Sequence, residues 1–128
     1  MQSIPQILKS AKVIAVVGLS DKPDRPSYGV ASYLLNHGYR IIPVNPNISE
    51  WKGILAKASL LEITEPVDIV DIFRKSEDVL PIVEQAIKIK PKLIWMQLGV
   101  INEEAAKLAE ANRILVIMDK CIKIVLES

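Results

Sequence analysis

The sequence predicts an α/β domain: a doubly wound, parallel, five-stranded sheet with helices on both faces. Three observations carry this. Strand-like and helix-like stretches alternate along the chain, which is the order that produces parallel sheets with crossover helices. The strand-like stretches are unbroken apolar runs, as in Val13-Ile14-Ala15-Val16-Val17, and such runs suit strands covered on both sides. The length of 128 residues fits one domain, residues 1–128, with little room for a second.

Taken in order, Ser3 and Gln6 form a capping box with Pro5 in the first turn, predicting a short helix over Ile4–Ser10. The first strand, Val13–Val17, stops at Gly18. A polar loop, Leu19–Pro26, leads to a helix from Ser27 to His37, where Val30, Ala31, Leu34 and Leu35 recur at helical spacing. Gly38 stands where a C-cap glycine belongs. Ile41–Val44 reads as the second strand, and Pro43 places it at a sheet edge or in its last turn. Asn47–Thr64 is the least regular part, with a short helix expected around Ser49–Lys57 and a brief extended piece after it. Val67–Phe73 is the third strand, Glu77–Lys88 a helix and Leu93–Met96 the fourth strand. Asn102 caps a helix running through Ala111, Ile114–Met118 is the fifth strand, and Lys120–Glu127 holds a last short helix.

Composition narrows the function classes. Half of the residues are hydrophobic and 24% are charged, so a packed core is expected rather than disorder. A net charge of +1 with interleaved signs argues against nucleic-acid or membrane-surface binding. One cysteine, Cys121, precludes an intramolecular disulfide. Met1–Pro5 lacks the basic start of a signal peptide, and no apolar stretch approaches the ~20 residues of a membrane helix. A soluble cytoplasmic protein is the expectation.

In open parallel sheets the ligand cleft lies beyond the strand C-termini, where strand order reverses. After the first strand come Gly18, Ser20, Arg25 and Ser27: a glycine for close approach, two hydroxyls, a guanidinium and a helix start. These suit a phosphate; equally, Ser27 could cap its helix and Arg25 could be a solvated loop residue. The dinucleotide fingerprint G-x-G-x-x-G is broken, because Ser20 and Pro23 occupy the later glycine positions. The second strand ends in Asn45, not in the acid that grips a ribose diol, which favours a ligand with a phosphate on its adenosine ribose over NAD. The third strand ends in Phe73-Arg74-Lys75. Phe73 is suited to a base, an apolar arm or the core, and the two cations to phosphates or to water. Asp68 and Asp71 interrupt this apolar strand and call for structural pairing. Gln97 and Gly99 follow the fourth strand, with Trp95 assigned to the core. His37, the only histidine, falls at a helix end as a surface or capping residue. No catalytic constellation or metal-ligand set is named by the residues.

Together, Val17–Ser20, Arg25–Tyr28, Gly38–Pro46, Val67–Arg74, Trp95–Gly99 and Asn102–Ala106 resemble small CoA-binding proteins. Those are related to the CoA-binding N-terminal domain of the succinyl-CoA synthetase α subunit. The resemblance covers Ala11 to Cys121 and implies a Rossmann-like fold with coenzyme A as ligand. By matching position it implies Gly18, Ser20, Arg25 and Ser27 near the pyrophosphate end, with Leu19, Tyr28 and Gly99 also among the coenzyme-binding residues. It implies Asn45 and its neighbour Pro46 along the adenosine, and Phe73, Arg74 and Gln97 along the cleft toward the pantetheine arm. The synthetase subunit has a second domain with a phosphorylated histidine and pairs with a β subunit, so its activity does not carry over to this chain. A stand-alone module binding CoA or acyl-CoA is the leading expectation. A subunit of an acyl-CoA ligase or transferase, and an NAD(P)-binding redox sensor, are the alternatives. A protein partner or a second copy of the chain is left open. Cys121, following the last strand, either faces the cleft or is an inert thiol.

Overall fold

Alternate residues of each central strand are buried on opposite sides of one sheet. Ala15, Val17, Val70, Ile72, Ile94 and Met96 enter one apolar cluster; Ile14, Val16, Ile69, Leu93 and Trp95 enter the other. The period of two along a strand explains the sorting, and burial on both sides explains why these runs contain so few polar residues. The computed structural model describes residues 2–128; Met1, the first residue of the expected domain, lies outside the described residues.

The sheet is parallel, with strands β1 (Val13–Val17), β2 (Arg40–Val44), β5 (Ile69–Ile72), β6 (Leu93–Met96) and β7 (Leu115–Ile117) in the spatial order β2-β1-β5-β6-β7. Helices α3 (Val79–Ile89) and α4 (Glu103–Ala111) cover the first cluster. Helices α1 (Ile4–Ser10), α2 (Pro26–Asn36) and α5 (Ile122–Glu127) cover the second. The α/β, doubly wound expectation therefore holds, and strand order reverses between β1 and β5.

Several local signals act as read. Ser3 Oγ accepts from the Gln6 N–H while Gln6 Oε1 accepts from the Ser3 N–H, closing the capping box. Asn102 Oδ1 accepts from the Ala105 N–H at 2.9 Å and caps α4. Pro43 lies on the edge strand β2. His37 is the C-cap of α2, exposed, with Nδ1 2.7 Å from the Tyr33 carbonyl oxygen. Trp95 is fully buried and its Nε1–H donates to the Lys120 carbonyl at 2.7 Å.

Two expectations fail. No helix forms over Ser49–Lys57; the segment is a two-stranded hairpin of β3 (Glu50–Trp51) and β4 (Ile54–Leu55). Lys52 and Gly53 both take positive φ, 50° and 78°, which is the backbone of a tight hairpin turn. Lys57 then bridges to Val44, with the Lys57 N–H donating to Pro43 and the Asn45 N–H donating to Lys57, so the β2 edge is covered. The second failure concerns the paired acids. Asp68 is paired: it accepts from the Lys12 and Val13 N–H groups at 2.8 and 3.0 Å and meets Lys92 at 3.4 Å. Partial burial pushes its carboxyl up, but the two N–H donors and Lys92 outweigh that and hold it low. Asp71 is not paired. It is fully buried between Val16 and Trp95 in the strand register, and neither oxygen has a hydrogen-bond partner among the described residues.

Burial alone drives the Asp71 carboxyl well above the usual carboxylate range. The folded state then holds this proton more tightly than the unfolded chain does. Its contribution favours folding at low pH and is lost as pH rises through the raised value. Asp71→Val, which removes the carboxyl with a smaller gain in bulk than leucine and suits a strand, is expected to raise stability near pH 7 by about 1–3 kcal/mol in urea unfolding. The gain should shrink as pH falls toward the ordinary carboxylate range; a loss near pH 7 would reveal a partner for the carboxyl.

Candidate functional site

The chain leaving β1 cannot carry a side chain at Gly18. Its φ is +84°, and a Cβ there would collide with the Phe73 carbonyl oxygen at the end of β5. The Gly18 N–H donates to Val44 at 2.8 Å and the Phe73 N–H donates to Val17 at 2.8 Å. Backbone from three neighbouring strands is thus knitted at the point of reversal. Directly above it opens a cavity of about 650 Å³.

Helix α2 starts at this cavity without a capping side chain. Its N-cap is Arg25, which makes no side-chain cap bond, and Pro26 follows as the first helical residue. Ser27 is therefore not the cap. It is buried at 5% exposure, and its Oγ accepts from the Ser20 N–H at 3.0 Å, folding the loop over the helix start. Pro26 has no N–H, and Tyr28 and Gly29 donate to the Arg25 carbonyl, so the Ser27 N–H and the positive helix end are what this start offers an anion at the mouth.

Three cations and one acid line the same cavity: Arg25, Arg74, Lys75 and Asp78. None of the three cations is in a salt bridge among the described residues. Arg74 is half-buried, with Nε 3.3 Å from the point that a Gly18 Cβ would occupy, so its charge works in a partly desolvated setting. Phe73 supplies an apolar wall while packing against the second core cluster, which joins its two sequence readings.

Farther along the sheet, past β6 and β7, the lining changes character to Gln97, Leu98, Val100, Cys121 and Ile124. Gln97 is only 4% exposed, and its Oε1 accepts from the Ile122 N–H at 3.3 Å. Leu98 and Ile124 are 68% and 60% exposed. One end of the cavity can meet oxyanions; the other presents an amide in an apolar rim.

Of the residues singled out from sequence, Gly18, Ser20, Arg25, Ser27, Phe73, Arg74 and Gln97 line the cavity. Asn45, Pro46, Leu19, Tyr28 and Gly99 do not. Asn45 is engaged within the fold, donating from Nδ2 to the Leu19 carbonyl at 3.0 Å and accepting at Oδ1 from the Asn47 N–H at 2.9 Å. Pro46 is exposed beside it, and Leu19 is fully buried. Tyr28 packs edge-on to Trp51 of the hairpin at 5.8 Å. Gly99, with φ +83°, donates to Asp119 at 2.7 Å as part of the turn after β6. The lining residues that escaped sequence reading are mainly apolar: Val30, Leu98, Val100 and Ile124. Only the strand-end rule pointed toward Leu98 and Val100, and nothing local marked Ile124. Among the described residues no group of three or more His, Cys, Asp or Glu is placed to hold a metal ion, and no helix is long and apolar enough to cross a membrane.

An open parallel sheet with an anion-welcoming cleft at its switch point is the architecture of a nucleotide-ligand-binding α/β protein. Residues 12–127 match the sequence model of the CoA binding domain, and the chain belongs to that family. It is 46% identical over 121 residues to the uncharacterized protein YneT of Bacillus subtilis, covering 94% of this chain and 90% of that one. A solved protein from Thermus thermophilus, cell-free ID.343, superposes with a TM-score of 0.93 at 36% identity, covering 97% of this chain and 94% of that chain. The dinucleotide forming acetyl-coenzyme A synthetase 1 of Ca. Korarchaeum cryptofilum, solved with phosphate and ADP, shares the fold. Its TM-score is 0.75 at 24% identity, over 83% of this chain and 25% of that chain.

The knitted backbone under the cavity makes a sharp stability prediction. Gly18→Ala combines a left-handed φ with a backbone clash and is expected to cost about 2–4 kcal/mol in chemical unfolding. Ser27→Ala, which strands the Ser20 N–H, should cost about 1–2 kcal/mol. A neutral Gly18→Ala would mean the two strand ends are not in contact.

Proposed function

We propose that this chain is a stand-alone cytoplasmic coenzyme A-binding protein, a single module that holds CoA or acyl-CoA for storage, sensing or delivery without chemistry of its own. The observation that carries the reading is the convergence of two unpaired arginines and the uncapped start of α2 on one cavity. A diphosphate is the part of CoA that such a cluster recognises. The pantetheine arm then runs over Phe73 toward Gln97, whose free amide suits the arm's carbonyl groups, and the thiol end reaches the apolar rim. The adenosine lies toward the exit of β2, where Asn45 and Pro46 offer no carboxylate to repel a ribose phosphate.

A second reading has support from one comparison. The fold recurs as a quarter of a longer acetyl-coenzyme A synthetase chain, so this protein would be the coenzyme-holding part of a multi-chain ligase. A stable partner and acyl-CoA turnover on purification from the native source would favour it over the stand-alone reading.

Calorimetry with CoA, dephospho-CoA and NADH tests the proposal. CoA is expected to bind at least about tenfold tighter than NADH, a difference of about 1.4 kcal/mol. Arg25→Ala and Arg74→Ala should each weaken CoA binding by about ten- to a hundredfold, the worth of a charge-assisted hydrogen bond. Equal affinity for CoA and NADH would overturn the assignment, and equal affinity for dephospho-CoA would remove the ribose phosphate from the recognised groups.

A further inference from the structure

The cavity end remote from the arginines carries more apolar surface than a bare thiol can cover. Its wall there is Gln97, Leu98, Val100, Cys121 and Ile124. Leu98, in the turn after β6, and Ile124, on α5, are two of the five large hydrophobic side chains left exposed among the described residues. Far apart in sequence, they line the same end of one cavity, and apolar surface gathered in that way marks a place that a ligand covers. The cysteamine end of CoA is too short to cover both.

The polar group at this end points the same way. Gln97 is only 4% exposed; its Oε1 accepts from the Ile122 N–H, and its Nε2 has no partner among the described residues. Nε2 is not one of the sealed unpaired atoms, which are confined to Trp51 and Asp71, so it opens on the cavity that Gln97 lines. An amide nitrogen carries two N–H groups, and a buried donor left without an acceptor is costly. The last amide of a pantetheine arm offers one carbonyl at this depth; a thioester beyond it offers a second.

Charge narrows the acyl group. No cation lines this end: Lys123 stands over the Tyr33 ring at 5.6 Å, and Lys120, although exposed beside Cys121, is not part of the wall. Asp119 accepts from the Gly99 N–H at 2.7 Å, which sets a carboxylate next to the turn that carries Leu98. A carboxylate at the tip of the ligand would therefore meet a like charge and apolar surface.

We infer that the ligand this cavity selects is an acyl thioester of the coenzyme, its acyl group an uncharged aliphatic chain of a few carbons lying across Leu98 and Ile124. The inference rests on the proposed CoA reading and deepens it by naming the substrate class. Gln97 Nε2 takes the carbonyl groups on either side of the cysteamine segment, and the aliphatic tail replaces water on the rim.

Calorimetry of the full chain with CoA, butyryl-CoA and succinyl-CoA tests the inference. Each methylene group taken out of water is worth about fourfold in affinity, so half-covering the three aliphatic carbons of a butyryl group makes butyryl-CoA bind about tenfold tighter than CoA. Succinyl-CoA, equal in chain length but charged at its tip, should bind no tighter than CoA. Leu98→Ser and Ile124→Ser, both at exposed positions, should each cut the butyryl gain at least about twofold, and together bring the ratio of the two affinities to about one. Equal affinity for CoA and butyryl-CoA overturns the acyl inference and leaves the CoA reading standing. A gain shared by succinyl-CoA overturns the uncharged acyl class, and a gain that survives both substitutions overturns the part given to the rim. Binding of none of the three overturns the inference together with the reading beneath it.

Discussion

The approach of β1 to β5 at Gly18 is the constraint on which the cleft depends. Parallel neighbours diverge beyond their last shared hydrogen bond, and a side chain at the divergence would push the two exits apart. Here the Gly18 N–H reaches back to β2 and the Phe73 N–H reaches back to β1, so three strands end flush with no side chain between the first and third. The consequence is electrostatic as much as steric. Arg74 can lie beside the space a Gly18 side chain would fill, half-buried, where its charge is less screened than that of the exposed Arg25. Arg25 is thereby suited to steer an anion and Arg74 to hold it.

Most of the scaffold was legible because its local signals agree with its tertiary role. Leu93–Met96 is a strand by apolar run and a strand in the sheet; Ser3–Gln6 and Asn102 announce helix starts and perform as caps. Trp51, Ile54 and Leu55 stand at helical spacing yet belong to a hairpin, because the decisive feature is backbone. Two consecutive left-handed residues, Lys52 and Gly53, reverse the chain, and Lys is not a residue that advertises that conformation. Outward pairing of Lys57 with β2 then fixes the segment through contacts made after folding, which no window of sequence contains. Asp71 was misjudged for a related reason. A carboxyl in an apolar strand implies a partner by rule, and only the three-dimensional packing shows that Val16 and Trp95 flank it instead.

The site divides the same way. Polar and charged residues after strand ends stood out because water would accept them anywhere, so their clustering at those positions carries information. Apolar lining residues carry almost none: Val30 looks like core, and Ile124 looks like any residue of a short terminal helix until α5 is seen packed beside α2. Asn45 shows the limit of reading chemistry from type alone. Its neutrality is a property of the sequence, but its amide is occupied in tying the β2 exit to Leu19, so it shapes the border of the cavity without lining it.

Spatial strand order converts this scattered list into a gradient. From β1 across β5 to β6 and β7, the groups above the sheet pass from hydroxyls and an open helix start, through guanidinium and phenyl, to an amide and an aliphatic rim. Neighbouring strands lie about 4.8 Å apart, so crossing from β1 to β7 spans about 14 Å, well beyond the reach of an inorganic phosphate. A ligand that satisfies both ends must be long, anionic at one end and weakly polar at the other. A compact anion would engage the arginines and leave Gln97 Nε2 without an acceptor, and an apolar molecule would cover the rim and leave three cations unneutralised. The two halves of the cavity therefore select jointly, through the cost each imposes on a ligand that serves only the other.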